Sequence, residues 1–225
     1  TGHGGYTHVI EVGPGTGALT KHLVHRPDTK LVCYEVDSES VRYLGHTYPE
    51  VEVRESDFLR MDPDSITDGP IAVIGNFPYN ISTQIVFKVL DDRDRVTEMV
   101  GMFQKEVAQR VAAKEGNKVY GVLSVLIQAF FDVEYLFDVN EQCFNPPPKV
   151  KSGVIRLLPR KTPLELTDEK KFFLLVKTAF NQRRKTLRNA VKGLFDAAIL
   201  EDELFNKRAE QLSIEQFASL ICKMR

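Results

Sequence analysis

Short apolar runs alternate with segments of helical periodicity through the first half of the chain. Thr7–Val12, Leu31–Glu35, Val51–Arg54, Ile71–Gly75 and Val96–Phe103 read as strands. Between them lie helical patterns. Ala18–His25 carries Leu19, Leu23 and Val24 on one side, and Ser40–Thr47 follows the second strand. Ile81–Leu90 repeats Ile85, Val86, Val89 and Leu90 at helical spacing, and a further helix runs from about Glu106 to Ala113. Strands alternating with helices predict right-handed βαβ units and a parallel sheet. Runs as apolar as Ile71–Gly75 suit a sheet covered on both faces. Such sheets bind ligands beyond the carboxyl ends of their strands, so the loops after strands one to four are where chemistry is expected.

Beyond Gly121 the pattern changes. A helix over Val122–Phe131 precedes two strand-like runs, Val133–Asn140 and Val150–Leu158, which read as an antiparallel pair closing the sheet edge. Pro146, Pro147 and Pro148 forbid regular structure between them. Past Pro159 the periodicity is purely helical: Glu169–Phe180, Lys185–Phe195, Ala197–Asn206 and Ile214–Lys223. The prediction is an α/β domain over residues 1–160 and a small helical domain over 161–225, with the boundary near Leu158–Leu166.

Composition narrows the class. The 225 residues are 43% hydrophobic and 27% charged, an ordinary globular balance. No stretch reaches the roughly 18 uninterrupted apolar residues of a membrane span, and no leader is read before the first strand. Three cysteines, Cys33, Cys143 and Cys222, form no Cys-x-x-Cys pair. A disulfide framework and a metal site are therefore not expected, and a reducing, cytoplasmic setting is. The net charge of −1 hides an asymmetry. Residues 1–158 hold 16 Lys and Arg against 22 Asp and Glu, whereas 159–225 hold 14 against 9. Between Asn145 and Lys192 there are 13 basic residues and 3 acidic ones, which points to a polyanionic partner for the later part of the chain.

The four loops carry specific chemistry. After strand one comes Glu11-Val12-Gly13-Pro14-Gly15-Thr16-Gly17. The spacing Gly-x-Gly-x-Gly is not that of dinucleotide binders, and no P-loop lysine follows. Glu11 beside the loop repels a pyrophosphate and favours a cationic ligand such as a sulfonium amino acid. Strand two ends in Glu35, 18 residues beyond Gly17, where a carboxylate can accept ribose hydroxyls. Asp37 reads instead as an acid at a helix start. Strand three ends in Asp57-Phe58, an acceptor for an exocyclic amine beside an apolar wall. Strand four ends in Asn76-Phe77-Pro78-Tyr79, the most specific segment. The Asn76 side-chain oxygen and the Phe77 carbonyl can both accept from one amino group. Pro78 stiffens the turn, and Tyr79 offers a face on which a base can stack.

These motifs, in this order, resemble those of class I S-adenosylmethionine-dependent methyltransferases with a Rossmann-like sheet. Asn-x-Pro-Tyr is similar to the signature of those that methylate exocyclic amines of nucleobases. Cys143-Phe144-Asn145-Pro146-Pro147-Pro148-Lys149-Val150-Lys151-Ser152 resembles a segment of the rRNA adenine N6-dimethyltransferases. Phe180-Asn181-Gln182-Arg183-Arg184-Lys185-Thr186-Leu187 resembles the helical domain of their small-subunit (KsgA-type) branch. The likeness spans residues 7–220. That family has a Gln-Asn-Phe-Leu-like segment ahead of strand one; this chain starts at Thr1, and the segment is expected to precede it.

The resemblance implies dimethylation of two adjacent adenosines near the 3′ end of small-subunit rRNA, as part of subunit maturation. It implies S-adenosyl-L-methionine as cofactor, held by Glu11, Gly13, Gly15, Gly17, Glu35, Asp57, Phe58 and Asn76. It implies a catalytic set of Asn76, Phe77, Pro78 and Tyr79, with Phe144 closing on the flipped base. Lys149, Lys151, Arg183, Arg184, Lys185 and Arg188 would contact rRNA, the latter four at one helix start. No metal is implied, and the chain is expected to act as a monomer on immature small subunits. Three alternatives stay open: a methyltransferase acting on another amine, a large-subunit enzyme of the macrolide-resistance type, and an assembly factor acting mainly by binding.

Overall fold

The computed structural model describes residues 5–144 and 150–225. Seven strands form one sheet: β1 (His8–Val12), β2 (Lys30–Glu35), β3 (Glu52–Glu55), β4 (Ile71–Asn76), β5 (Val96–Gln104), β6 (Phe131–Val139) and β7 (Ser152–Pro159). Their order is β3-β2-β1-β4-β5-β7-β6. The first five run parallel, and β7 runs antiparallel to β5 with β6 outside it. The predicted closing strands are thus present, with β7 inserted between β5 and β6.

The central strands are buried along nearly their whole length, as their unbroken apolar runs require. Residues of one parity, Val9, Leu31, Cys33 and Ala72, pack with Tyr6 and Val51 on one face. Ile10, Val12, Val32 and Val73 have the opposite parity and are equally buried. Between strands lie α1 (Thr20–Leu23), α2 (Ser38–Thr47), α3 (Ser82–Asp91) and α4 (Lys105–Ala112). Asp37 starts α2 by accepting from the Ser40 N–H at 2.8 Å, as its position after a strand suggested.

The later helices are α5 (Val122–Gln128), α6 (Glu169–Asn181), α7 (Leu187–Val191) and α8 (Ile214–Ile221). Two helical readings are corrected. Ala197–Asn206 holds two 3-10 turns, Ile199–Glu201 and Glu203–Asn206, separated where the Asp202 carboxylate caps the second. Lys185–Phe195 contracts to α7, because Lys185 closes a turn onto the Gln182 carbonyl and Thr186 takes an extended cap conformation.

The chain divides into two compact units, Thr1–Ala108 with Val133–Pro159, and Gln109–Asp132 with Arg160–Arg225. The sequence places one boundary near Leu158–Leu166; the structure adds residues 109–132 to the helical unit. The reason is packing. Tyr120 is fully buried, donates to the Leu212 carbonyl at 3.1 Å and meets the Phe180 ring edge-on. The Gly116 N–H donates to the Glu210 carbonyl at 2.7 Å. Six of the seven α5 residues are buried, and its two polar side chains are satisfied within the same unit, Ser124 donating to the Arg110 carbonyl and Gln128 to the Val111 and Ala113 carbonyls.

Candidate active site

Parallel strands in register bring their carboxyl ends to one side of the sheet. Val12 pairs with Tyr34, Glu35 with Glu55, and Glu11 with Ile74, one pair before Gly75-Asn76. The strand order reverses direction between β1 and β4, which makes the space beyond these two strands the crevice of the sheet. The glycine loop and the Asn76–Tyr79 loop flank it. They meet at Gly13, where a Cβ would lie 3.8 Å from Pro78 Cδ.

Gly13, Gly15 and Gly17 all have positive φ, a backbone that other residues adopt only with strain. At Gly15 an added Cβ would meet nothing, so the loop faces open space there. At Gly17 it would lie 2.9 Å from the Tyr48 ring, so the helix side of the loop is closed. This is a cradle open on one side, which fits a small extended ligand lying along the loop.

Glu35 closes the cradle on the β2 side. Its Oε2 accepts the Gly15 N–H at 3.1 Å, and its Oε1 accepts Val36 and Asp37 N–H at 2.8 and 3.0 Å. A carboxylate offers about four acceptor directions, so three bonds fix its orientation and leave capacity on Oε2 for a hydroxyl. Val36 beside it is 69% exposed, a large apolar side chain that sequence reasoning passed over. Asp57 is half-buried and uses one oxygen to cap the Leu59 N–H at 2.9 Å. Phe58 turns inward, 3% exposed and edge-on to Tyr34. The apolar wall expected of Phe58 is therefore part of the core rather than of the crevice surface.

Glu11 is 1% exposed and does not face the crevice. Its parity matches Val9, which turns it toward α1. Its Oε2 accepts from Thr20 Oγ1 at 2.8 Å and from Cys33 Sγ at 3.7 Å. Burial pushes its carboxyl up from the ordinary value, against the lowering effect of these donors. The same burial raises the Cys33 thiol far above its ordinary range. Glu11 thus ties β1 to the helix beyond the glycine loop. The direct attraction for a cationic ligand expected from the sequence is not what its position provides.

The Asn76–Tyr79 loop alternates. Asn76 is exposed, Phe77 is 1% exposed, and Tyr79 is half-buried. Among the described residues no hydrogen bond holds the Asn76 side chain. The Phe77 ring stands edge-on to Phe103, with centroids 5.1 Å apart. It fills a slot between Gly75 and Gly101, which are paired across β4 and β5. Tyr79 Oη lies 2.6 Å from Ser152 Oγ at the start of β7. Neither the slot nor Ser152 was among the candidate residues. Glycines in strand interiors, which often mark a close approach, were the available signal.

The remaining candidates divide. Phe144 is half-exposed at the end of a 3-10 turn, Glu141–Cys143, and makes no ring contact with Tyr79 among the described residues. Lys149 lies outside the described residues. Lys151 is exposed. Arg183, Arg184 and Lys185 lie in the connection between α6 and α7, not at a helix start; only Arg188 is on α7. Arg183 is engaged internally, donating from Nε to Glu210 Oε2 at 2.7 Å and from Nη2 to the Lys118 carbonyl. Arg188 leans toward Glu201, 3.9 Å away. Arg184 and Lys185 are exposed. No group of His, Cys, Asp and Glu among the described residues could hold a metal ion.

A mostly parallel seven-stranded sheet, a positive-φ glycine loop, a strand-two carboxylate and an Asn-Phe-Pro-Tyr loop at one crevice define a class I methyltransferase, whose methyl donor is S-adenosyl-L-methionine. Residues 6–224 match the ribosomal RNA adenine dimethylase family. The chain belongs to that family. It is 52% identical over 221 residues to the ribosomal RNA small subunit methyltransferase A of Cytophaga hutchinsonii, covering 97% of this chain and 86% of that protein. The protein of the same name from Bacteroides thetaiotaomicron is 55% identical over 217 residues, covering 94% and 81%. A dimethyladenosine transferase from Plasmodium falciparum superposes with a TM-score of 0.80 at 29% identity, over 95% of this chain and 88% of that one. The 23S rRNA methyltransferase ErmE superposes at 0.76 with 25% identity, over 96% and 90%.

Proposed function

We propose that this protein transfers methyl groups from S-adenosyl-L-methionine to the N6 amine of adenosines in small-subunit rRNA. The observation that carries the reading is the Asn76–Tyr79 loop, which abuts the glycine cradle through Gly13 and Pro78. The choice of the small subunit is supported by relatives above 50% identity bearing that name. The likeness to a large-subunit enzyme is one of fold at 25% identity.

When bound, the cofactor supplies a methyl group on sulfur with a neutral thioether as leaving group. The Gly13–Gly17 loop receives its amino-acid portion, Glu35 a ribose hydroxyl, and Asp57 the adenine amine. Glu11 shapes the loop from behind. The Asn76 side-chain oxygen and the Phe77 carbonyl accept from the target N6, which favours a tetrahedral nitrogen with its lone pair aimed at the methyl carbon. The same oxygens ease the positive charge that develops on N6. Tyr79 provides the stacking face, and Phe144 closes on the base as it enters. Lys149, Lys151, Arg184 and Lys185 contact rRNA phosphates, while Arg183 and Arg188 serve the helical unit that carries Arg184 and Lys185. The protein works as a cytoplasmic monomer on immature small subunits; its three unpaired cysteines suit a reducing compartment.

The test uses labelled S-adenosylmethionine and immature small subunits, with digested nucleosides identified by mass. N6,N6-dimethyladenosine should form, and Asn76→Ala should reduce it by roughly 10²-fold or more. Subunit binding with no methyl transfer by the unaltered protein would overturn the reading in favour of an assembly factor.

A further inference from the structure

We propose that Ser152 is a positioning residue for the target adenine, acting through the phenol of Tyr79. The inference rests on the methyltransferase reading above and adds a residue to it. Ser152 is fully buried, and its Oγ lies 2.6 Å from Tyr79 Oη, 73 residues away in sequence. A phenol tip held inside the protein pins the far end of a side chain that is otherwise free to turn about two bonds. The half-buried ring then has one plane to offer at the mouth of the crevice.

The post that holds it is itself fixed. Ser152 pairs with Gln104, and the residue before it accepts the Lys105 N–H through its carbonyl at 2.9 Å. At Gly153 an added Cβ would lie 2.9 Å from the Tyr135 ring and 3.0 Å from Ala108, so the start of β7 has no room to slide. On the other side of Pro78, the Phe77 ring is locked between Gly75 and Gly101. The loop is therefore anchored twice within three residues, once below through Phe77 and once sideways through Tyr79. Asn76, paired with Met102 at the end of β4, and the Tyr79 ring face, the two features a base would meet, are each carried next to a fixed point.

This matters most for the second methyl. The monomethylated amine is bulkier, and its lone pair has to be aimed again from the same stacking plane. A Tyr79 ring freed from Ser152 should therefore impair the second transfer more than the first. Ser152→Ala and Tyr79→Phe each remove the bond while keeping the ring. Each should lower kcat about tenfold, the equivalent of one lost hydrogen bond, raise the share of N6-monomethyladenosine released, and leave KM for S-adenosylmethionine unchanged. The double variant should be no worse than either single one, since both delete the same interaction.

A second readout needs no turnover. In protein labelled with 3-fluorotyrosine, the 19F resonance absent from Tyr79→Phe belongs to Tyr79, and Ser152→Ala should move it. An unmoved resonance overturns the anchor. Unchanged kcat and product ratio with only a lowered melting temperature overturn the positioning role, as does a double variant whose loss is the product of the single losses. If the unaltered protein transfers no methyl to adenosine, the functional reading fails and the role for the adenine with it; a moved resonance would then preserve the anchor alone.

Discussion

Gly101→Ala tests the slot beneath the Asn76–Tyr79 loop. Gly101 lies within β5, and its neighbours are two fully buried rings. A Cβ there would sit 2.8 Å from Phe103 Cε2 and from Phe77 Cδ2, and closer still to Phe77 Cε2. Neither ring end is flexible enough to step aside, and Gly75 across the strand pair is equally filled. If the strands yield, overpacking costs about 1–3 kcal/mol. If the Phe77 ring is expelled instead, the loss approaches the roughly 3–5 kcal/mol of emptying a buried phenylalanine site. At about 2–4 °C per kcal/mol for a chain of this size, the melting temperature should fall by ~2–12 °C in the first case and by ~6–20 °C in the second. Activity should fall further than stability predicts, because a displacement of about 1 Å at the loop costs on the order of 10²-fold. The assay is thermal unfolding beside methyl transfer to small-subunit rRNA, on Gly101→Ala with and without Phe77→Leu. The shorter side chain should restore part of the lost stability. A Gly101→Ala protein with unaltered melting and turnover would refute the slot, and an equal loss in both backgrounds would show that the clash is not with Phe77.

Two further outcomes follow from buried and exposed charge. Glu11 has a folded-state pKa above the ordinary 4.5, so the native state holds its proton to higher pH than the unfolded chain. Stability should fall as pH rises from about 4.5 through the raised value, and Glu11→Gln should remove that fall. Urea midpoints of both proteins between pH 4 and 8 check this; parallel curves would show that Glu11 contributes nothing to it. The basic cluster should separate by role. Arg184→Ala and Lys185→Ala should each reduce the salt slope of rRNA binding by about 1 with unchanged melting. Arg183→Ala should cost about 1 kcal/mol of stability through Glu210 and the Lys118 carbonyl. Equal salt slopes for all three variants would contradict the division.

Periodicity determined the five parallel strands, their helices and the crevice side of the sheet, because apolar runs and helical spacing are local properties that burial on both faces makes unambiguous. Motif chemistry likewise placed Glu35 and the Asn76–Tyr79 loop at that crevice, since short βα connections leave little freedom in where a strand's last residue lies. What the tertiary structure alone decided concerns direction and partnership. Glu11 reads as a carboxylate beside a ligand loop, yet strand parity turns it onto Thr20 and Cys33. Phe58 reads as a wall for a base and is packed on Tyr34. Arg183 reads as one more phosphate contact and is drawn inward by Glu210, 27 residues away. Residues 109–132 read as the end of the first domain and fold with the second, because six of the seven α5 residues are buried and Tyr120 is enclosed beside Leu212 and Phe180. Ser152 carries no signal of its role, because it acts through a contact with Tyr79, 73 residues away; Gly75 and Gly101 show only as glycines inside strands, without the Phe77 ring that fills the space between them. Spacing along a chain encodes which groups are present at a strand end; only packing sets which of them point outward and which hold the others in place.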